Sequence, residues 1–322
     1  MNHVAGAQEN SVAVVIAAYN AAATLDRAIE SALAQRETAE VCVVDDASGD
    51  ATAHVGEAWA ARDPRVRVVR QAANAGPSAA RNAAIAATSS PWIAVLDADD
   101  YMLDGRFRAM LQHAGDADFI ADALIRVNEG DPPPLAGGEL KPERLSFTEF
   151  VLGNLGALKG PLDLGFLKPV FRRAFVAEHA LQYRADMRLG EDYELYAKAL
   201  ALGARFLVGA PVGYVSVERP GSLSKDHSEI DLERLRDCDR DIARVRPLDR
   251  EEARALRRHW TSVDCRLQWR RLITAVKTRN LGGALSAFHT PAAAIYLVQR
   301  LAEQAWVRSA AALRQDIHKG AH

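Results

Sequence analysis

Strand-like and helix-like segments alternate through the first hundred residues of this chain. Four short runs are almost wholly apolar, as strands buried on both faces are: Val12–Tyr19, Val41–Val44, Val66–Val69 and Trp92–Leu96. The segments between them have helical spacing: Thr24–Gln35, Asp50–Ala61 and Ser78–Thr88. Because strand–helix–strand crossovers are right-handed, this pattern predicts a doubly wound α/β domain with a mostly parallel sheet.

The pattern beyond Asp104 is less regular. Asp116–Val127 and Ala204–Val217 each predict a strand, and Gly190–Gly203 predicts a helix. From Glu229 onward the chain is helical in pattern and rich in arginine. We expect an α/β domain over residues 1–226, with halves at about 10–104 and 105–226, followed by a basic helical region over 227–322.

The charge of the chain is unevenly distributed. The formal net charge is −2, which excludes a uniformly basic nucleic-acid coat. Residues 231–322 contain 18 Lys and Arg against 11 Asp and Glu, whereas residues 1–230 contain 22 against 31. Three scattered cysteines predict neither a disulfide framework nor a zinc site. With no secretory signal or membrane-spanning segment evident, the sequence predicts a cytoplasmic protein.

Polar residues follow each predicted strand of the first hundred residues. They stand at the carboxyl ends of the strands, where open α/β sheets bind their ligands: Tyr19, Asn20, Asp45, Asp46, the loop Gln71–Pro77, Asp97, Asp99 and Asp100. Since these ends meet at one edge of a parallel sheet, we expect five carboxylates on one rim.

The run Asp97-Ala98-Asp99-Asp100 directly follows the fourth predicted strand. Carboxylates on such a turn repel one another, and a hard divalent cation such as Mg²⁺ or Mn²⁺ removes that repulsion. An EF-hand is excluded, because Tyr101 and Met102 stand where it needs a ligand and a glycine. A phosphatase with an Asp-x-Asp-x-Thr motif is disfavoured by Tyr101. A solvated acidic turn and a signalling receiver domain stay open as alternatives.

Five motifs occur in order at natural spacing: VVIAAYNAAATLDRAIESALAQ, VVDDASGDAT, NAGPSAARNAAI, VLDADD and GEDYEL. Together they resemble the family 2 glycosyltransferases, which are inverting enzymes with the GT-A fold. The resemblance spans Val12 to Ser224 and points in particular to bacterial exopolysaccharide glucosyltransferases of the succinoglycan type. A sugar-1-phosphate nucleotidyltransferase is excluded, because the first strand is followed by AAYNAAA and not by a glycine-rich loop with a lysine.

The resemblance implies roles for individual residues. It implies Asp192 as the general base, Glu191 as the residue that orients it, and Asp99 and Asp97 as the metal-binding pair. Asp100 would be a further contact, and Ser222 and Ser224 would accompany an arginine near the diphosphate. The implied nucleotide-sugar site consists of Ala17, Tyr19, Asn20, Asp46, Asn74, Gly76, Arg81, Asp97, Ala98 and Arg219. Taken alone, an acidic pair in the first turn of a helix is also explained by the helix dipole.

The resemblance also implies a reaction and its partners. The expected donor is a UDP-sugar, with glucose as the sugar, and the expected acceptor is a glycan or a polyprenyl-linked oligosaccharide that gains one residue at a time. The cofactor would be Mn²⁺ or Mg²⁺, and an acidic cleft disfavours nucleic acid. A degenerate, non-catalytic nucleotide-sugar-binding protein is the alternative. The basic C-terminal region, with its tryptophans, fits peripheral contact with the inner face of an anionic membrane, packing on the first domain, or a homodimer, and these stay open.

Overall fold

The computed structural model describes residues 9–135, 138–155, 164–219 and 227–319. Its strands, in chain order, are β1 (Val12–Ala18), β2 (Thr38–Asp45), β3 (Val66–Arg70), β4 (Trp92–Val95), β5 (Tyr101–Met102), β6 (Phe119–Asp122), β7 (Ile125–Asn128), β8 (Glu143–Leu145), β9 (Val170–Arg172), β10 (Phe206–Gly209) and β11 (Tyr214–Glu218). Its α-helices are α1 (Leu25–Ala34), α2 (Thr52–Ala60), α3 (Pro77–Ala86), α4 (Arg106–Leu111), α5 (Phe147–Gly153), α6 (Arg173–Glu178), α7 (Glu191–Ala201), α8 (Glu229–Ile242), α9 (Arg250–Lys277), α10 (Leu281–Ser286) and α11 (Pro291–Lys319).

The main sheet has the strand order β3-β2-β1-β4-β9-β6-β10-β8. The first four of these strands are parallel, as are β6 and β10, whereas β9 is antiparallel to both β4 and β6. Helices α1 to α3 connect the parallel strands, and the central strand β1 is buried along almost its whole length. The predicted α/β fold with a mostly parallel sheet and a C-terminal helical region is therefore confirmed.

Two segments predicted as single strands are each divided between two sheets, so that prediction is wrong in detail. Asp116–Val127 contains β6 and β7, and Ala204–Val217 contains β10 and most of β11. Strands β6 and β10 pair in the main sheet, whereas β7 and β11 pair in a second sheet with β5. The passage of the chain from β10 in the main sheet to β11 in the second sheet depends on the buried carboxylate of Asp122. Its Oδ2 accepts hydrogen bonds from three successive backbone amides at 212–214.

The C-terminal helices α8 and α9 pack against the α/β part of the molecule. Leu235, Cys238 and Val263 are buried in the same apolar cluster as Phe119 of β6 and Tyr196 of α7. Helix α11 packs mainly on α9, around Leu297. No helix of the described residues combines the length and the apolar composition needed to cross a membrane. The boundary at residue 226 falls next to residues that are not described and stays a prediction.

Candidate active site

The carboxyl ends of β1 and β2 carry a pair of interlocked turns. Asn20 has a left-handed backbone (φ 49°), its side-chain Oδ1 accepts from the Gly49 amide at 2.9 Å, and its own amide donates to Ser48 Oγ at 2.9 Å. These bonds leave the Tyr19 ring 52% exposed at the rim, while Ala17 lies half-buried in β1. An exposed aromatic ring beside a fixed turn is a suitable surface for a planar base.

Asp46 fastens the loop before α3 to the end of β2. Its buried carboxylate accepts from the amides of Ala75 and Gly76, both at 2.8 Å, and Asn74 Nδ2 donates to the Asp46 carbonyl at 3.3 Å. Gly76 has φ 88°, a conformation that other residues rarely adopt. Three residues implied for nucleotide binding are thus brought together by direct contacts at the rim.

Beside this loop, two buried cations join three carboxylates from distant parts of the chain. Arg81 of α3 contacts Asp97 after β4 (Nη2–Oδ1, 2.8 Å) and Glu191 of α7 (Nη1–Oε1, 2.9 Å). Lys168 Nζ lies 3.0 Å from Asp97 Oδ2 and 2.8 Å from Asp192 Oδ2. Arg81 Nη1 is also 3.5 Å from Asp192 Oδ1. We call these five residues the rim network.

The electrostatics of the rim network favour the charged forms of Asp97 and Lys168. Burial alone would raise the pKa of Asp97, but Lys168 and Arg81 outweigh it and hold that pKa well below its ordinary value. Burial alone would lower the pKa of Lys168, yet Asp192 and Asp97 hold it well above its ordinary value. Asp192 therefore lies beside a charged ammonium group, which contacts its Oδ2.

Asp99 differs from Asp97, two residues earlier. Within the described residues its carboxylate has no hydrogen-bond or ion-pair partner in another residue, and burial together with the charge of Asp97 raises its pKa. The charge of Arg219, which also contacts Glu129 (Nε–Oε1, 3.5 Å), opposes that rise. Ser222 and Ser224, predicted on the following segment, lie outside the described residues.

The residues at the rim fit a divalent cation at Asp99 better than at Asp97. A hard cation would stabilise the Asp99 carboxylate, which no other described residue pairs with, whereas Asp97 could bind one only by releasing Arg81 or Lys168. In the described part of the chain, no cluster of three or more His, Cys, Asp or Glu could hold a metal. A cation at Asp99 would therefore need oxygen ligands from the substrate.

The next carboxylate, Asp100, is used by the protein itself. Its Oδ2 accepts from the Tyr214 hydroxyl and its Oδ1 from the Val217 amide, both at 2.9 Å. Burial and the charges of Asp97 and Asp99 raise the pKa of Asp100 to about 7. Asp100 thus ties the acidic turn to β11, and Ala98 is buried within the same turn.

Lys168 and Tyr214 were given no function by the sequence, although both lie within the site. The Tyr214 hydroxyl also accepts from the Asp97 amide at 3.2 Å, so it supports the turn from below. Lys168 had a signal that could have revealed it, because it is the one charged residue in the otherwise apolar segment Leu164–Phe171. A lysine in such a segment is buried only if it is paired. Tyr214 had no comparable signal.

Several known proteins are similar to this chain over most of its length. The family model for glycosyl transferase family 2 matches residues 13–175. The chain is 41% identical over 296 residues to the succinoglycan biosynthesis protein ExoU of Rhizobium meliloti (strain 1021), covering 90% of this chain and 86% of that protein. It is 38% identical over 287 residues to the succinoglycan biosynthesis protein ExoO of the same strain, covering 85% and 80%.

Solved structures show the same fold. S. aureus TarS 1–349 in complex with UDP-GlcNAc has a TM-score of 0.63 at 18% identity, covering 86% of this chain and 90% of that one. The mannosyltransferase PcManGT of Pyrobaculum calidifontis, in complex with GDP-Man and Mn²⁺, has a TM-score of 0.57 at 18% identity, covering 92% and 87%. Five motifs at one rim, a matching family model and two long relatives lead to one conclusion: the chain belongs to the family 2 glycosyltransferases.

Proposed function

We propose that the protein transfers a sugar, with inversion, from a nucleoside diphosphate to a hydroxyl group of a growing bacterial exopolysaccharide. The observation that carries the proposal is the rim network, which brings Asp192 of α7 next to Asp97 at the carboxyl end of the sheet. Family membership supports sugar transfer, and the similarity to two succinoglycan biosynthesis proteins supports an exopolysaccharide product.

In the proposed reaction, Asp192 is the general base. The acceptor oxygen forms a bond to the anomeric carbon while the bond from that carbon to the diphosphate breaks. The hydroxyl proton passes to the Asp192 carboxylate, and the nucleoside diphosphate leaves. Lys168 and Arg81 hold that carboxylate in place before the acceptor arrives. Glu191, fixed by Arg81, orients the same end of α7.

The donor is proposed to be a UDP-sugar, with glucose as the sugar. Tyr19, Asn20 and Asp46 line the rim where the base would lie, and a carboxylate is a suitable acceptor for the N3–H of uracil. The TarS structure contains UDP-GlcNAc and the PcManGT structure contains GDP-Man, so both uracil and guanine must be tested. The acceptor would be a glycan or a polyprenyl-linked oligosaccharide, extended by one residue in each encounter.

A divalent cation is proposed as the cofactor. Asp99 would hold Mn²⁺ or Mg²⁺ together with diphosphate oxygens, and when bound the metal would offset the charge of the leaving diphosphate. The support lies in the raised pKa of Asp99 and its lack of a partner in any other described residue. Arg219, whose charge opposes that rise, would supply a second positive charge to the phosphate.

Calorimetric titration tests the donor site. UDP, GDP and their glucose conjugates are titrated into the protein with and without Mn²⁺. We expect one nucleotide to bind with a micromolar Kd that depends on Mn²⁺, and Asp99→Asn to weaken that binding at least about 10-fold. Asp104→Asn is the matched control, because Asp104 follows the short strand β5 on the next loop and is exposed. Nucleotide binding without any sugar transfer would favour the alternative of a non-catalytic binding protein. An unchanged Kd in Asp99→Asn would contradict the proposed metal site.

A second part of the proposal is that the C-terminal helices contact an anionic membrane. In the described residues, eight of the eleven large apolar side chains that are exposed lie in this region: Ile230, Val276, Leu281, Leu285, Ile295, Val298, Leu301 and Trp306. Lys277 and Arg279, next to Val276 in the chain, are exposed cations, and Arg254, Arg257 and Arg258 are exposed farther along α9. A symmetric dimer through this face would bring like charges together, whereas an anionic bilayer complements both its charge and its apolar side chains.

Vesicle sedimentation tests this surface. We expect binding to vesicles of phosphatidylglycerol and phosphatidylcholine, weaker binding to phosphatidylcholine alone, and a decrease with added salt. Leu281→Ser with Leu285→Ser should weaken the binding at least about 5-fold, since both side chains are more than three-quarters exposed. Leu135→Ser is the control, because Leu135 is 93% exposed in a different region. A stable dimer that the double substitution dissociates would contradict the membrane proposal.

A further inference from the structure

The catalytic end of α7 is held from behind by a buried tyrosine, aspartate and histidine. Tyr193, the residue after Asp192, donates its hydroxyl to Asp239 Oδ1 of α8 at 2.8 Å. His259 Nδ1 of α9 lies 2.8 Å from Asp239 Oδ2 and 3.1 Å from Oδ1. All three side chains are at most 3% exposed. We call them the buried triad.

The ring contacts of the triad fix Tyr193 on both faces. The Tyr193 ring stacks on His259, with centroids 4.2 Å apart and planes 27° apart, and on Phe150 of α5 at 5.7 Å and 12°. Burial raises the pKa of Asp239, while the hydrogen bonds from His259 and Tyr193 oppose that rise. A buried carboxylate that depends on two donors is costly to disturb, so its partners are held at defined positions.

The residue on the other side of the acidic pair also meets the C-terminal helices. Gly190 precedes α7 with φ 73°, and a Cβ atom there would lie 2.5 Å from Leu235 Cδ1 of α8. Helix α8 therefore packs directly against the backbone at the start of α7. Glu191 and Asp192 lie between two points, Gly190 and Tyr193, that are both fixed by the C-terminal helices.

From these contacts we infer that Tyr193, Asp239 and His259 are positioning residues for the general base. Among the described residues the triad side chains make no hydrogen bond to a rim-network side chain; they act by fixing the first turn of α7, and with it the Asp192 carboxylate, relative to Lys168. In this account the C-terminal helices contribute to catalysis as well as to any surface contact. The inference rests on the proposed function, because it takes Asp192 as the base.

The sharpest variant is Tyr193→Phe, which removes one hydroxyl and keeps both ring stacks. Because a displacement of about 1 Å at a catalytic group can cost up to about 100-fold in rate, we expect kcat to fall at least about 10-fold. The donor Kd should change less than about 2-fold, since the nucleotide site lies on other elements. Asp239→Asn should act in the same direction.

Asp264→Asn is the matched control. Asp264 is as buried as Asp239 and lies on α9, but its partners Arg236, Gln268 and His289 all belong to the C-terminal region. We expect this variant to lose stability while keeping kcat. If Tyr193→Phe and Asp239→Asn also keep kcat, or lose it only in proportion to the unfolded fraction as Asp264→Asn does, the inference is wrong.

Two variants of His259 distinguish the contribution of its hydrogen bond to Asp239 from that of its ring packing on Tyr193. His259→Asn keeps a donor near the Nδ1 position, whereas His259→Phe keeps the ring and leaves Asp239 one donor short. We expect His259→Asn to retain more of the wild-type kcat than His259→Phe. The reverse order would show that packing alone matters and would overturn the positioning role.

Hydrogen exchange of the first α7 turn is read in the same variants and does not depend on activity. We expect the amides of α7 near Asp192 to exchange faster in Tyr193→Phe than in Asp264→Asn. Equal exchange in the two variants would contradict the inference. If the wild-type protein transferred no sugar from any donor, the proposed function would fail, but the exchange data would still decide whether the triad holds α7.

Discussion

Two buried groups of charges lie a short distance apart in this protein, and they are balanced differently. At the core, Arg106 and Asp122 are both fully buried, 2.8 Å apart, and every remaining bond of Asp122 goes to backbone amides. At the rim, the two cations of the rim network face three carboxylates, with Asp99 nearby and without a partner in any other described residue. The core pair has all its partners within the protein and stabilises the fold. The rim has more carboxylates than cations, and a bound cation and substrate could balance that excess of negative charge.

The two groups are also connected. Arg106 Nη2 donates to the carbonyl oxygen of Lys168, and Asp122 holds the amide of Tyr214, the residue that supports the acidic turn. The core pair therefore fixes the backbone from which two rim side chains extend. We nevertheless expect a substitution in the core pair to lower mainly the free energy of unfolding, and a substitution in the rim network to lower mainly kcat.

The largest effect on stability is expected from the core pair. Asp122→Ala leaves the Arg106 guanidinium buried without its partner, which should lower the free energy of unfolding by about 3–5 kcal/mol in urea titration. Asp116→Ala is the control, because Asp116 pairs with Arg205 at the surface and is 80% exposed, so its loss should cost less than about 1 kcal/mol. Equal losses for the two variants would contradict the distinction between a closed core pair and an ordinary ion pair.

Disturbing the rim should affect catalysis more than stability. Lys168→Met removes the cation between Asp97 and Asp192, and we expect kcat to fall about 100-fold because the base loses its position. The free energy of unfolding should fall by less than about 2 kcal/mol, since water can reach the half-exposed Asp97. Lys141→Met is the control, because Lys141 pairs with Glu139 at the surface, and it should keep kcat. If Lys168→Met lowered the free energy of unfolding as much as Asp122→Ala does, Lys168 would be a structural residue like Arg106, and the prediction would be wrong.

The smallest expected effect is the change in the free energy of unfolding on acidification. Burial alone would raise the pKa of Asp122, but Arg106 and the backbone amides outweigh it and lower that pKa. A lowered folded-state pKa gives stability that is present above the unfolded pKa of about 4 and is lost as the pH falls through the folded value. The stability difference between the wild type and Asp122→Asn should therefore narrow by less than about 1 kcal/mol between pH 7 and pH 3.5. If the stability difference widened on acidification, the pKa of Asp122 would be raised in the folded protein, which would contradict the prediction.

The sequence predicts local features of this molecule well, and long-range contacts only in part. Strands β1 to β4 and the polar residues after them follow from apolar runs and turn residues that are close together in the chain. Arg81 and Glu191, which are 110 positions apart, were placed in one site by resemblance and not by pattern. The division of Ala204–Val217 between two sheets depends on Asp122, which no local pattern could connect with the amides at 212–214. Lys168 was visible as an isolated charge, yet its partners were not.

The central claim is that Asp192 takes the proton of the acceptor hydroxyl, and the most direct test is the transfer rate of Asp192→Asn with donor binding measured in parallel. A missing general base typically costs between about 100-fold and 10,000-fold in rate. We predict a loss in that range with the donor Kd unchanged, while Glu194→Gln, on the same helix but paired with Lys198, stays near wild type. Transfer by Asp192→Asn at the wild-type rate would contradict the account.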